Sequence, residues 1–151
     1  MDPEESRQRG RDLEALFQKA ALTQGFLARK MPLSCRAYGH GGRTKFVPVK
    51  SELDWQLLDR NQRIAFLDTK STKGDRFAIS ALKPHQIETA ATLNDWGFVA
   101  GFFVWFREID RVCYVSGKTI KEIGSGSFGP EHGLLLGTGF EFRLGLLFQE
   151  S

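Results

Sequence analysis

Apolar positions recur at helical spacing over residues 11–24, where Leu13, Leu16, Phe17, Ala20 and Ala21 fall on one arc of a helical wheel with Glu14 at its border. The pattern predicts an amphipathic helix ended by Gly25. The following FLARKMPL reads as a strand up to Pro32, and a glycine-rich basic loop, Tyr38 to Lys45, comes next. Two extended runs, 53–58 and 64–69, flank the polar group Asp59-Arg-Asn-Gln-Arg63, which is hairpin chemistry. Pro84 suits the first turn of a helix that HQIETAATLNDW continues to Gly97. The apolar run 97–106 and the segment 112–115 predict a second strand pair that turns over 108–111. Beyond Gly117 the signal weakens, through the glycine-rich 124–130 to a last apolar run near 140–148. The order helix, strand, hairpin, helix, hairpin predicts an α/β chain with a mixed β-sheet flanked by α-helices.

A chain of 151 residues, 41% hydrophobic and 26% charged, predicts one domain with a single sizeable core and excludes a disordered or fibrous protein. The run 97–106 falls short of the roughly 20 apolar residues that span a bilayer. The segment MDPEESRQRGRD has no apolar stretch for export, so the expectation is a cytoplasmic protein without membrane association. Cys35 and Cys113 lack CxxC spacing and read as reduced bystanders; His40, His85 and His132 lack zinc-site spacing. Trp55, Trp96 and Trp105 read as core or strand-surface residues, with Trp55 beside Asp54 a possible DNA contact. Ser116-Gly-Lys-Thr119 imitates the end of a phosphate-binding loop, but Val112 stands where that motif needs glycine, which excludes ATP binding.

Charge changes the picture more. The net charge is only +3, yet residues 15–51 hold seven basic residues (Lys19, Arg29, Lys30, Arg36, Arg43, Lys45 and Lys50) and no acidic one. A positive field confined to one stretch favours a polyanion, because each phosphate neutralised releases condensed counterions. Arg29, Lys30, Arg36, Arg43, Lys45 and Lys50, with Lys73 further on, are the candidate nucleic-acid contacts.

The candidate chemistry lies on the first hairpin. A turn centred on Asn61 sets Asp54 directly opposite Asp68, and Lys70, two residues on, shares the face of Asp68. Facing carboxylates repel unless a cation lies between them, and an oxygen-rich site of this kind suits Mg²⁺ or Mn²⁺. A neighbouring lysine can orient a water and offset charge developing on a phosphate. A register slip of one residue would send one acid to the other face.

Asp54 followed after a hairpin by Asp68-Thr69-Lys70 has the form PD-(D/E)xK of nucleases with a restriction-endonuclease-like core. With RKMP at 29–32, SELDW at 51–55, IAFLDTKST at 64–72, KPHQIETA at 83–90 and GFVAGFFVWF at 97–106, the chain resembles the RecU family of Holliday-junction resolvases over about residues 9–120, leaving 121–151 as a C-terminal extension of a single nuclease domain. The resemblance implies that Asp54, Asp68 and the backbone carbonyl of Thr69 ligate metal and that Lys70 handles the attacking water. It further implies that Glu14 is the acidic residue on the first helix near the metals and Gln86 the supporting glutamine. It implies a homodimer that cuts two opposed strands of a four-way DNA junction symmetrically, leaving 5′-phosphate and 3′-hydroxyl ends, in a bacterial cell or a phage-infected host; the small size fits a phage. Departures are Asp68 in place of the usual glutamate, no glycine soon after Asp54, and a region before Asp54 shorter than the family's junction-binding stalk. Two alternatives stand beside this expectation: a nuclease of the same fold acting on other DNA structures, and a non-catalytic branched-DNA-binding protein.

Overall fold

A computed structural model describes residues 3–31, 34–40, 43–49 and 53–149, the segments 34–40 and 43–49 by backbone alone. The first helix, α1 (Pro3–Thr23), ends at Gly25, whose φ of 84° suits a residue without a side chain. Leu13, Phe17 and Ala21, one turn apart, are its buried stripe. It begins a full two turns before the predicted start. That extension is polar on all sides and carries no apolar period; Glu5 and Arg9 pair along it at 2.9 Å and Gln8 donates to Asp12 at 3.0 Å.

Strand β1 (Leu27–Lys30) follows, and then β2 (Ser34–His40) and β3 (Arg43–Val49) form their own two-stranded antiparallel sheet. This corrects the expected loop at 38–45: its ends are the inner ends of two paired strands, with His40 opposite Arg43 and Tyr38 opposite Lys45. Glycines and charges masked the alternation there. The predicted hairpin is β4 (Trp55–Leu58) and β5 (Ile64–Thr72). After the short β6 (Phe77–Ala78) come α2 (Pro84–Asp95), β7 (Val99–Phe106) and β8 (Arg111–Ser116), as the pattern predicts to within two residues. A third helix, α3 (Gly117–Ile123), was not anticipated; the Ser116 hydroxyl caps it by accepting from the Thr119 amide at 3.2 Å. Strands β9 (Ser127–Phe128) and β10 (Leu134–Gly137) complete the set.

The main sheet has six strands in the order β1-β4-β5-β7-β8-β10, antiparallel throughout except for the parallel pair β5–β7. The parallel pair sits centrally, and β7 is apolar along its whole length because both of its faces are covered. One face packs Trp55, Leu57, Leu67 and Phe103 against Phe17 of α1 and against Phe142, Leu144 and Phe148 of the C-terminal segment. The Phe17 ring meets Trp55 and Phe103 at centroid distances of 5.3 Å each. The other face packs Phe102, Val104 and Phe106 against Phe77, Ile79, Ile120 and Phe128, and Ala100 against Ala90 of α2. Residues of 121–151 therefore supply an edge strand and several core side chains. Cys113 is a buried free thiol. Trp55 lies in the core, whereas Trp96 is exposed at the end of α2. No described helix is long and apolar enough to cross a membrane.

Candidate active site

The turn that joins β4 to β5 fixes everything downstream of it. Asp59 Oδ1 accepts from the amides of Asn61 and Arg63 at 2.9 Å each, and Oδ2 accepts from Arg63 Nε at 2.7 Å. The turn is thus centred on Asn61, and the strands pair Leu58 with Ile64, Leu57 with Ala65, Gln56 with Phe66 and Trp55 with Leu67. One step further along this register Asp54 meets Asp68, as the hairpin argument predicts. The Asp54 amide donates a long hydrogen bond of 3.4 Å to Asp68 Oδ1, and the Asp54 carbonyl accepts from the Met31 amide at 2.7 Å, which ties the position to β1 as well.

Alternation along β5 separates its two faces. Ala65 and Leu67 face α1; Phe66, Asp68 and Lys70 face the side on which Ala90 of α2 packs with Ala100. Asp68 is 1% exposed, and its Oδ2 lies 2.9 Å from Lys70 Nζ. That contact is an ion pair off hydrogen-bond alignment, and Oδ2 makes no hydrogen bond. Burial pushes the Asp68 carboxyl up to about 6; the Lys70 ammonium works against the rise and the neighbouring Asp54 carboxylate adds to it. Gln86, near the start of α2, is the other buried polar side chain among the described residues, and its Oε1 also has no hydrogen-bond partner. Gln86 Oε1 is thus left with no hydrogen-bond partner, a cost of order 1–3 kcal/mol, and Asp68 Oδ2 is met only by the Lys70 ion pair, on the same side of the sheet.

The remaining candidates are distributed around this centre. Glu14, half-buried on α1, is engaged by Lys30, with Nζ at 3.2 Å and 3.4 Å from its two carboxylate oxygens. Lys30 in turn lies 5.8 Å over the Trp55 ring, its partner across the β1–β4 pairing. The hairpin brings Asp54, Asp68 and Lys70 together, while Glu14 stays with Lys30; among the described residues no three His, Cys, Asp or Glu side chains cluster closely enough to hold a metal. Thr69 is half-buried in β5. Arg29, Lys30 and Lys73 are exposed. The β2–β3 register sets Arg36, Arg43 and Lys45 at positions on one face of the ribbon, together with Tyr38 and His40. Lys50 lies outside the described residues. The sequence reasoning missed the part of Lys30 as the partner of Glu14, since it counted Lys30 only as a DNA contact; its place at the end of β1, opposite Trp55, was the available signal.

The donor set suits a hard divalent cation. Asp54 and Asp68 supply carboxylate oxygens, Asp68 Oδ2 is met only by the Lys70 ion pair, and a cation there would favour the ionised form that burial disfavours. With two acids rather than three in place, further ligands must come from backbone or water.

This α/β architecture is a mixed six-stranded sheet flanked by helices, with the acids on the β4–β5 hairpin. The chain is similar to the solved structure of Hjc, a Holliday junction resolvase from the archaeal hyperthermophile Archaeoglobus fulgidus, with a TM-score of 0.54 at 13% identity, covering 82% of this chain and 93% of that one. At that identity the likeness is one of fold. No family model and no curated protein matches the chain.

Proposed function

We propose that the protein is a structure-selective DNA endonuclease that resolves Holliday junctions by metal-dependent phosphodiester hydrolysis, with the specificity of the RecU family. The observation that carries this reading is Asp68, an acid 1% exposed that ends an apolar run, ion-paired through Oδ2 with Lys70 and set against Asp54. A charge buried in this way costs stability unless a partner uses it. The fold shared with Hjc, itself a junction resolvase, supports the same reading.

In this account Asp54, Asp68 and the Thr69 carbonyl would hold Mg²⁺, for which Mn²⁺ could substitute, with Glu14 a further ligand if freed from Lys30. When bound, such an ion would supply Lewis-acid stabilisation of the scissile phosphate and its leaving oxygen. Lys70 donates from Nζ to the attacking water, orients it, and balances the charge that develops on the phosphate. Gln86 supports the site from α2. The basic positions Arg29, Lys30, Arg36, Arg43, Lys45, Lys50 and Lys73 take the DNA backbone, and a homodimer makes paired symmetric nicks with 5′-phosphate and 3′-hydroxyl ends.

The pairing of Glu14 with Lys30 favours one competing reading, a branched-DNA-binding protein that does not cut. A strand-labelled four-way junction incubated with and without Mg²⁺ separates the possibilities. Paired symmetric nicks that require Mg²⁺ are expected. A junction bound but uncut in Mg²⁺ assigns the binding-only role, and equal cutting of flaps and linear duplex assigns a nuclease of broader substrate.

A further inference from the structure

A cavity of about 720 Å³ lies between Arg9, Asp12 and Leu16 of α1 and the far ends of β5 and β7. It is on the face opposite Asp68: Trp105, which lines it, packs against the core that contains Phe17 and Phe103, whereas Asp68 pairs along β7 with Phe102 of the other core. Nothing in the cleavage chemistry uses it.

Two kinds of surface meet there. The first is a fixed aromatic platform. Trp105 Nε1 donates to Asp110 Oδ1 at 2.9 Å, and the same oxygen accepts from the Gly139 amide at 2.9 Å. Asp110 itself sits at a φ of 46°, a left-handed conformation uncommon for a residue with a side chain. Gly139 lies flat on the indole, where any Cβ would collide with the ring. Phe140 stands edge-on to it, centroids 6.4 Å apart at 77°, and is 82% exposed. A large aromatic ring that exposed beside a cavity is free to stack on something else.

The second surface is cationic. Arg9, Lys73 and Arg107 line the cavity. Arg107 Nε donates to the Thr72 carbonyl at 3.2 Å, but its Nη1 is buried with no hydrogen-bond partner. Burial and the nearby Arg9 guanidinium work against the Arg107 charge, and Glu5, the ion-pair partner of Arg9, works for it. A phosphate in the cavity would add a further counter-charge to Arg9, Lys73 and Arg107. Asp12 and Glu108 also line the cavity and would disfavour a bare polyphosphate, while offering acceptors to the exocyclic amino group of a base.

We infer that this cavity binds a single unstacked nucleotide of a DNA strand, with the base against Trp105 and Phe140 and its phosphate between Arg9, Lys73 and Arg107. At a branch point such a nucleotide is available where strands exchange. The inference rests on the proposed DNA substrate but not on cleavage, so the two are tested apart.

The test is the affinity of the full chain for single-stranded hexadeoxycytidine, compared with a hexameric abasic deoxyribose-phosphate strand of the same charge. Base–aromatic stacking contributes about 1–3 kcal/mol per base, so the abasic strand should bind roughly 5- to 150-fold more weakly. Phe140→Ala, which removes an exposed ring and leaves the core untouched, should erase most of that difference without changing affinity for the abasic strand. Lys73→Ala should weaken both strands and make the slope of log affinity against log salt shallower by about 0.7. Equal binding of the two strands by the wild type would reduce the cavity to a plain anion site and overturn the inference. A Phe140→Ala protein with the wild-type melting curve and undiminished preference for bases would overturn it too. Because no step requires metal or strand scission, failure of junction cleavage leaves this result standing, and loss of base preference leaves cleavage standing.

Discussion

The two faces of β5 carry the same strand to opposite ends. Toward α1, Ala65 and Leu67 are fully buried with Trp55, Leu57 and Phe17, and the layer is held by apolar contact and ring packing. Toward α2, the neighbouring positions hold Asp68, buried to the same degree, and Lys70. The first face gains from burial; the second loses by it, with Asp68 pushed up to about 6 by desolvation and Gln86 Oε1 left without a hydrogen-bond partner. A strand that could have continued in apolar residues on both faces, as β7 does, instead turns polar from Asp68 onward, and Asp68 is the fully buried one of those residues. Cores do not gain stability from such a break, which is why it is read as chemistry.

The contrast predicts opposite responses to substitution. Phe17→Ala, on the apolar face, should cost about 3–5 kcal/mol, which at roughly 2–4 °C per kcal/mol for a chain of this size lowers the Tm by some 6–20 °C in a thermal melt. A loss under about 1 kcal/mol would break the comparison, since α1 would then not be held by this stripe. Lys70→Ala, on the charged face, strands the buried Asp68 carboxylate, so it should lower the Tm at pH 8 and much less near pH 4, and it should lower the single-turnover rate of junction cleavage about a hundredfold with little effect on junction affinity. Reversing Arg43 and Lys45 to Glu addresses neither face but the β2–β3 ribbon. It should weaken junction binding and make the salt slope shallower by about 0.9 for each phosphate that is no longer neutralised, read by titration at several salt concentrations.

The smallest effect sharpens the comparison most. Asp68 has an ordinary value of 3.8 and a folded value of about 6, so the folded protein binds the proton more readily than the unfolded chain. Its favourable contribution is complete below 3.8 and is lost as pH rises through about 6. In metal-free buffer Asp68→Asn should therefore raise the Tm by a few degrees, about 2–4 °C per kcal/mol, at pH 8, and the gain should close toward pH 4. Added Mg²⁺ should stabilise the wild type at pH 8 and not the variant.

How much of this was legible in the sequence follows from which forces are local. The β4–β5 register was readable because Asp59 and Arg63 build a turn within five consecutive residues, and side-chain alternation then carries Asp54 to Asp68. The buried stripe of α1 was readable from its period. The first two turns of α1 were not, because pairs such as Glu5–Arg9 leave no apolar pattern. Strands β2 and β3 were hidden by glycines and charges in a ribbon whose order comes from pairing with itself. Helix α3 is brief and depends on the Ser116 cap, and the C-terminal segment takes its place through distant contacts, such as Gln24 Nε2, just past α1, donating to the Phe142 carbonyl at 2.6 Å across most of the chain. The engagement of Glu14 by Lys30 is likewise tertiary.

The central claim is that the buried acid on the second face of β5 exists to hold metal for phosphodiester hydrolysis. The direct measurement is cleavage and affinity of a four-way junction by Asp68→Asn, side by side with the wild type in Mg²⁺ at pH 8. Cleavage should fall below detection while affinity is kept or increased, because a metal ligand is removed and the basic surface is not. Cleavage by the variant at the wild-type rate, or parallel loss of cutting and binding in a protein that melts normally, would contradict the account.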